Sequence, residues 1–575
     1  MAKLIEFLRP YRAFVALVLV LTFVQTMSSL YLPNLMSSIV DTGIIRGDEG
    51  YILREGLWML AVTVLGGAGS VLASYYGAKA TAGFGKLLRT RIFRHVEHFT
   101  LKEFDQIGTS SLIVRSTNDV MQVQQFINML LRMMVMAPLT AIGGIILAVR
   151  TDASLSLVIV VVLPIMSIAI WLVMRRGFDL FRSIQKKVDR LNLVLRENLT
   201  GVRVVRAFGR VPYEVRRFDA ANLDLTDTSV RVFQLMAILM PIVMLIMNLA
   251  MVAIVWFGGV QINTGTLELG NLMAFIQYVM QIMFAVLMVS MMLFMVPRAQ
   301  ASAVRINEVL ALEPEFRDPD DPLPVPRGPG TVEFRGVTFY YPGGEEPALH
   351  DVTFTARPGQ ITAVIGGTGA GKSTLMNLIP RFYDVSEGSI LVDGVDVRKM
   401  RQADLRQRLG YVPQKAVLFT GSVLENIRYG DPGASLAAAQ HAADVAQASE
   451  FVSEMEEGME AEISQGGVNL SGGQRQRLAM ARALARRAEI YLFDDSFSAL
   501  DFRTDALVRA ALRRELTGAT VMIIAQRVST VMDADHILVL DDGRLVGAGT
   551  HRELMASCPV YAEIVASQLS PEESA

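Results

Sequence analysis

Two stretches carry residue types that could do chemistry. Ile361 to Ser373 reads ITAVIGGTGAGKS and contains GxxxxGKS from Gly366 to Ser373, directly after an apolar strand and opening a helix. Glycines at that spacing let backbone N–H groups close around phosphate oxygens, a lysine placed as Lys372 reaches the β and γ phosphates, and a hydroxyl placed as Ser373 ligates magnesium. Leu492 to Asp501 reads LFDDSFSALD. An apolar strand ending in two carboxylates offers Asp494 to the metal and leaves Asp495 for an attacking water. Together they specify Mg-nucleotide binding by Gly366, Gly367, Thr368, Gly369, Ala370, Gly371, Lys372, Ser373 and Thr374, with Ser373 and Asp494 on the metal.

These stretches need a scaffold, and the text around them reads as one. From Thr331 onward short β-rich runs (TVEFRGVTF, ITAVIG, IYLFD, TVMIIA, HILVL) alternate with helical ones such as RQRLAMARALARR. That alternation predicts a soluble α/β domain over 331–565, followed by a polar tail at 566–575. A Pro-rich connector over 313–330 precedes it, EPEFRDPDDPLPVPRGPG.

The first half lives in another solvent. Of the 575 residues 52% are hydrophobic, too many for two average soluble domains. Uncharged runs occur at Ala13 to Val40, Gly56 to Gly77, Met133 to Val149, Ala153 to Met174, Val232 to Leu267 and Leu269 to Pro297. Each approaches or exceeds the roughly 20 residues a helix needs to cross the hydrocarbon core, which predicts a six-span α-helical membrane domain over 1–312. The first run is too long for a signal segment and is expected to remain in the mature chain. Lys and Arg concentrate before the first span and in Lys79 to Arg132 and Arg175 to Arg231. Both termini and both long connections are therefore expected on the cytoplasmic side of a cell membrane. The long connections keep helical character, with turning points expected at Asp105 to Val114 and Gly209 to Phe218.

Gln25, Asn248, Gln277 and Gln281 interrupt the apolar runs. Such residues either face a pathway or bond helices to one another. The last span carries Met280, Met283, Met288, Met291, Met292 and Met295, a soft surface equally suited to a permissive binding wall or to packing. The single cysteine, Cys558, excludes internal disulfides and reads as an inert thiol.

Five further motifs narrow the reading. Tyr341 stands in VTFYYPG, Gln414 follows a strand in LGYVPQ, Leu470 to Gln474 is LSGGQ, Ser498 to Asp501 is SALD, and IIAQRVST spans Ile523 to Thr530. The second half thus resembles the nucleotide-binding domain of ABC transporters, and the whole chain resembles the exporter type in which membrane and nucleotide domains are fused. The resemblance implies that Tyr341 stacks on adenine and that Gln414 joins Ser373 and Asp494 around magnesium. It implies that Leu470, Ser471, Gly472, Gly473 and Gln474 contact ATP held on a partner's P-loop, and that Ser498, Ala499, Leu500 and Asp501 form the loop between the two sites. It also implies that the two turning points are coupling helices seated near the Gln414 loop.

Four positions depart from that pattern. The family's hydrolytic sites carry Glu after the metal Asp and His in the switch; here Asp495 and Gln526 stand there, and Gln465 and Gly466 replace a usual charged pair before LSGGQ. Asp sets its carboxylate back by about 1 Å, enough to cost on the order of a hundredfold in rate. Gln526 can donate a hydrogen bond but cannot titrate. The expectation is an ATP- and Mg2+-binding but weakly hydrolytic site in one half of a heterodimeric exporter of multidrug type. The second half-transporter would supply Glu and His, and the cargo would be amphipathic or hydrophobic: drugs, lipids or peptides. The alternatives are a slow homodimeric exporter, an importer on the exporter fold and a nucleotide-gated regulator. The six apolar runs exclude a soluble factor working on nucleic acid.

Overall fold

The computed structural model describes residues 2–293, 295–324 and 328–568. Residues 325–327 of the connector, 569–575 of the tail and the side chain of Met291 fall outside the described set. The chain forms two compact units: Met1–Glu97 with Thr109–Leu312, and His98–Gly108 with Glu313–Ala575.

The first unit holds six helices long and apolar enough to cross a membrane: Lys3–Ile44, Glu49–Val96, Thr109–Thr151, Ser156–Thr200, Val211–Asn263 and Leu269–Ala311. They are called the first to sixth spans. A helix satisfies its own backbone, which hydrocarbon demands. At 42 to 53 residues the helices run well past the apolar runs that seed them. Their lengths, roughly 60–80 Å at 1.5 Å per residue, are at least twice a hydrocarbon core of about 30 Å.

Small residues set how closely the spans approach. A Cβ on Gly69 of the second span would lie 3.4 Å from the Leu21 carbonyl oxygen of the first, and one on Gly144 of the third would sit 2.7 Å from Ile282 of the sixth. Two buried carboxylates tie the unit at separate places. Asp41 accepts from the Gly270 amide at 2.6 Å and from Ser37 Oγ at 3.2 Å. Asp119 accepts from Ser302 Oγ at 2.9 Å and from Arg305 Nε at 2.7 Å.

The connections differ from the sequence expectation in instructive ways. In the first, the helices Leu101–Ile107 and Thr109–Val114 meet at Gly108, whose φ of 79° makes the turn. The sequence reading kept this tip in a membrane domain of 1–312, yet His98–Gly108 packs with the second unit. Glu103 explains part of it: it caps Thr100 and also accepts from the Glu315 amide at 3.2 Å. In the second connection the short helix is Val202–Ala207, earlier than expected, and only Gly209 and Arg210 of the expected Gly209–Phe218 turn lie outside helix. Pro212 lies within the expected turn, but at the first turn of a helix its missing N–H costs nothing, so it helps start the fifth span.

In the second unit, strands β1 (Val332–Phe339), β2 (Leu349–Ala356), β4 (Glu387–Val392) and β5 (Val395–Asp396) form a sheet in the order β2-β1-β4-β5. A second sheet takes β3 (Ile361–Gly366), β6 (Leu409–Val412), β9 (Ile490–Asp494), β10 (Thr520–Ile524), β11 (His536–Asp541) and β12 (Arg544–Gly549) in the order β12-β11-β3-β10-β9-β6. A small ribbon pairs β7 (Gly421–Ser422) with β8 (Glu462–Ile463). Strands β6, β9, β10, β3 and β11 run parallel, and β12 is antiparallel to β11.

All residues of β9 and β10 are buried, because the sheet is covered on both faces and needs continuous rather than alternating apolar runs. One face packs Phe493, Ile523 and Val539 against helices that include Gly472–Ala485 and Phe502–Glu515. The other packs Leu492, Ile524 and Val364 against the antiparallel sheet and the helix Lys372–Leu378. The parallel strands β3, β10, β9 and β6 therefore end at one edge, the place where such sheets hold ligands.

Candidate nucleotide site

Each strand end delivers one piece of the site. After β3 ends at Gly366 the chain turns through Gly367, Thr368, Gly369, Ala370 and Gly371 before the helix Lys372–Leu378 begins. Gly369 and Gly371 have φ of 88° and 91°, and a Cβ on Gly371 would meet the Ala348 carbonyl at 2.5 Å. Only glycine fits there, and the loop it permits is lined with backbone amides. Lys372 Nζ donates to the carbonyls of Gly366 at 2.8 Å and Gly367 at 2.6 Å, which holds the ammonium over the loop. Burial lowers the Lys372 pKa, and the nearby carboxylates of Asp495 and Asp494 oppose that shift.

Strand β9 ends at Asp494. Ser373 Oγ donates to Asp494 Oδ1 at 3.0 Å, so the hydroxyl and carboxylate expected on one metal lie side by side. Burial raises the Asp494 pKa, and the Ser373 hydrogen bond works against it. The described residues contain no group of three or more His, Cys, Asp or Glu placed to hold a metal ion. One hydroxyl, one carboxylate and the nearby Gln414 amide suit Mg2+, which takes few protein ligands and completes its shell with phosphate oxygens and water.

Asp495 follows with φ of 46° in the left-handed region, where Asp is better tolerated than most side chains. It is 6% exposed. Its Oδ2 accepts from two amides: Gln526 Nε2 at 2.8 Å, from just beyond β10, and Gln414 Nε2 at 3.2 Å, from just beyond β6. Three loops thus converge on one carboxylate oxygen.

Tyr341 follows β1, is 38% exposed, and binds Thr374 Oγ1 through its hydroxyl at 3.0 Å. Its ring meets Phe339 and Tyr383 edge-on, at centroid distances of 5.0 and 5.5 Å. Tyr383 was missed by the sequence reading. Its hydroxyl donates to Asp105 Oδ2 at 3.3 Å, which gives the first turning point a contact on the aromatic cluster. A hydroxyl in an aromatic cluster needs an acceptor, and Asp105 supplies one. Nothing in the local sequence marks Tyr383, because the pairing spans 278 positions.

The signature forms a separate surface. Ser471 caps the helix Gly472–Ala485 in a box with Gln474: the Gln474 amide donates to Ser471 Oγ at 3.2 Å, and the Ser471 amide to Gln474 Oε1 at 2.8 Å. Leu470 is buried, whereas Ser471 and Gly472 are exposed. Gly473 passes close to the next loop, where a Cβ would lie 3.1 Å from the Ala499 carbonyl oxygen. Asp501 caps the helix Phe502–Glu515 through Thr504, and Leu500 anchors the loop in the core. Arg527, a second residue the sequence reading missed, holds the loop from the switch side by donating to the carbonyls of Ser498 at 3.2 Å and Leu500 at 3.3 Å. Among the described residues no hydrogen bond joins Leu470–Gln474 to Gly366–Thr374.

A phosphate loop, a paired hydroxyl and carboxylate, and an exposed signature helix on one doubly wound sheet, joined to six membrane-length helices, define an ATP-driven membrane transporter. The comparisons agree. Residues 15–286 match the ABC transporter transmembrane region and 349–498 match the ABC transporter domain. An ABC transporter ATP-binding protein of Mycobacterium tuberculosis is 44% identical over 572 residues, covering 99% of this chain and 98% of that protein. YfiB of Bacillus subtilis, also an ABC transporter ATP-binding protein, is 39% identical over 574 residues and covers 100% of both. The ATP-dependent lipid A-core flippase of Yersinia pestis is 32% identical over 556 residues, covering 96% of this chain and 95% of that protein. The solved structure of a bacterial Atm1-family ABC exporter with ATP bound superposes with a TM-score of 0.80 at 27% identity, covering 97% of this chain and 98% of that one. The chain belongs to the ABC transporter family, as a multi-pass exporter with transmembrane and ATP-binding domains fused in one polypeptide.

Proposed function

We propose that this chain is the degenerate-site half of a heterodimeric exporter, working from the cytoplasmic membrane with its nucleotide domain and both termini in the cytoplasm. The observation that carries the reading is the shared acceptor: Gln526 and Gln414 both donate to Asp495 Oδ2. A general base must have an oxygen aimed at the water it activates. Here the carboxylate is short, one oxygen is engaged by two amides, and neither amide can take or give a proton.

The residues act as follows. The amides of Gly366–Thr374 and Lys372 bind the phosphates, Tyr341 stacks on the base, and Ser373, Asp494 and Gln414 orient the metal. When bound, Mg2+ offsets the charge on the β and γ phosphate oxygens. Asp495 and Gln526 then hold the site closed rather than fire it, so ATP stays long in this site. The Ser471 hydroxyl and the Gly472 and Gly473 amides complete the competent site, whose P-loop, Glu and His belong to the second chain. Val204 and Phe208, 60% and 75% exposed at the tip of the second connection, are the apolar contacts that a nucleotide domain would cover. ATP-driven closure of the two nucleotide domains turns the membrane cavity outward, and hydrolysis at the competent site resets it. The cargo is amphipathic or hydrophobic, a reading supported by the flippase named among the relatives.

The test is steady-state ATPase of the purified chain beside Asp495→Glu with Gln526→His, in lipid nanodiscs of verified two-chain content. The native chain is expected to be nearly silent and the double variant to turn over at about 1 per second or faster. A native chain that already reaches that rate overturns the degenerate-site reading.

A further inference from the structure

The membrane unit contains a cavity of about 550 Å³ between the first, third and sixth spans. Thr22, Gln25, Gln125, Asn128 and Arg132 are its polar lining, and five methionines from the third and sixth spans supply the rest. No acidic residue borders it, and the third span has none between Asp119 and Asp152. Among the described residues Arg132 makes no hydrogen bond or ion pair and is half-buried.

Arg132 stands at the end of the uncharged run that begins at Met133. A guanidinium at the edge of hydrocarbon is costly unless it meets an anion or reaches water, and this one faces a cavity instead of a carboxylate. Its planar donor fork matches carboxylate and phosphate oxygens, while Gln125 and Asn128 add uncharged donors beside it. The methionine walls adapt to an apolar body without specifying its shape. A volume of this size suits a single small amphiphile.

We propose that this cavity binds an amphipathic anion, a carboxylate or phosphate ester head held at Arg132 with its apolar body along the methionines. The inference rests on reading the chain as an exporter, and it narrows the cargo from amphipathic compounds in general to acidic ones.

The test reads binding alone, so it is independent of hydrolysis and of the second chain. The full chain in zwitterionic nanodiscs is titrated with 11-(dansylamino)undecanoic acid and with its methyl ester, subtracting empty discs. The acid is expected to bind at least ten-fold tighter than the ester, and dodecyl phosphate, but not inorganic phosphate, to displace it. Arg132→Met should remove the preference and Arg132→Lys should keep part of it, with thermal stability and nucleotide binding unchanged as controls for folding. If Arg132→Met does not fold, the native acid-to-ester ratio still decides. Equal binding of acid and ester, no binding of either, displacement by inorganic phosphate alone, or a preference that survives Arg132→Met would each overturn the proposal.

Discussion

Gln526 Nε2 lies 2.8 Å from Asp495 Oδ2, so the switch amide is turned toward the carboxylate beside the metal aspartate. Two of the residues that depart from the family pattern, Asp495 and Gln526, are therefore partners. A carboxylate fixes the orientation of an amide, and the amide leaves that carboxylate one acceptor site poorer for water. The two substitutions form one arrangement that neither explains alone.

An imidazole in place of that amide would sit beside the same carboxylate. A neighbouring negative charge raises a histidine pKa above its usual value of about 6.5. In Gln526→His, ATP affinity should rise as pH falls through that raised value, because the cationic ring then meets the γ phosphate. The native chain should stay flat from about pH 6 to 8. Fluorescent nucleotide titrations across pH read the difference, and matching profiles would remove Gln526 from the phosphate site.

Asp494 carries its charge at a buried position that raises its pKa. For a carboxyl raised on folding, the fold prefers the protonated form. The cost is present at neutral pH and fades as pH falls through the folded value. Asp494→Asn keeps the acceptor for Ser373 and removes the charge, so the nucleotide-free protein should melt a few degrees higher at pH 7. The gap should narrow toward pH 4 to 5, roughly the carboxylate range. Mg-ATP affinity should fall at least ten-fold. A variant that melts lower at neutral pH would contradict this account.

Tyr341→Ala should weaken ATP binding by about 1–3 kcal/mol, the range for loss of one stacked base, while Tyr341→Trp should retain most of it. Isothermal titration in the presence of Mg2+ measures both. Equal affinities for the Ala variant and the native chain would place adenine elsewhere.

Tyr383 joins the nucleotide site to the first connection. Burial foremost, with Asp105 and Tyr341 adding, pushes its hydroxyl up to about 12, so it stays a neutral donor across physiological pH. Its stabilising share is complete below the unfolded value of about 10 and is lost as pH rises through 12. Tyr383→Phe keeps the ring against Tyr341 and deletes the donor to Asp105. Hydrogen exchange in Leu101–Ile107 should quicken several-fold while ATP affinity holds, and unchanged exchange would show the hydroxyl to be dispensable.

Much of this is legible in the amino-acid sequence. Apolar runs are long-range statements made locally, so the six spans and the buried strands could be read from composition alone. The phosphate loop and the signature are contiguous for the same reason: backbone amides adjacent in sequence make the site. Tyr383 with Asp105, and Arg132 with its cavity, were not legible, because each takes its meaning from residues on other elements. The second turning point is expected too late because the proline ring that breaks a helix interior, here Pro212, also suits a helix's first turn.

Asp41 has a further consequence. Its tightest partner, the Gly270 amide, lies 229 residues downstream. At about 5–20 residues per second, a ribosome takes some ten to fifty seconds to deliver that amide after Asp41 has emerged. For that interval the newborn first span holds a carboxylate without its main donor and has no sixth span to lean on. Membrane insertion of this chain therefore ends with a closing stitch that joins its first helix to its last, and truncation before residue 270 should leave the earlier spans as clients for membrane quality control.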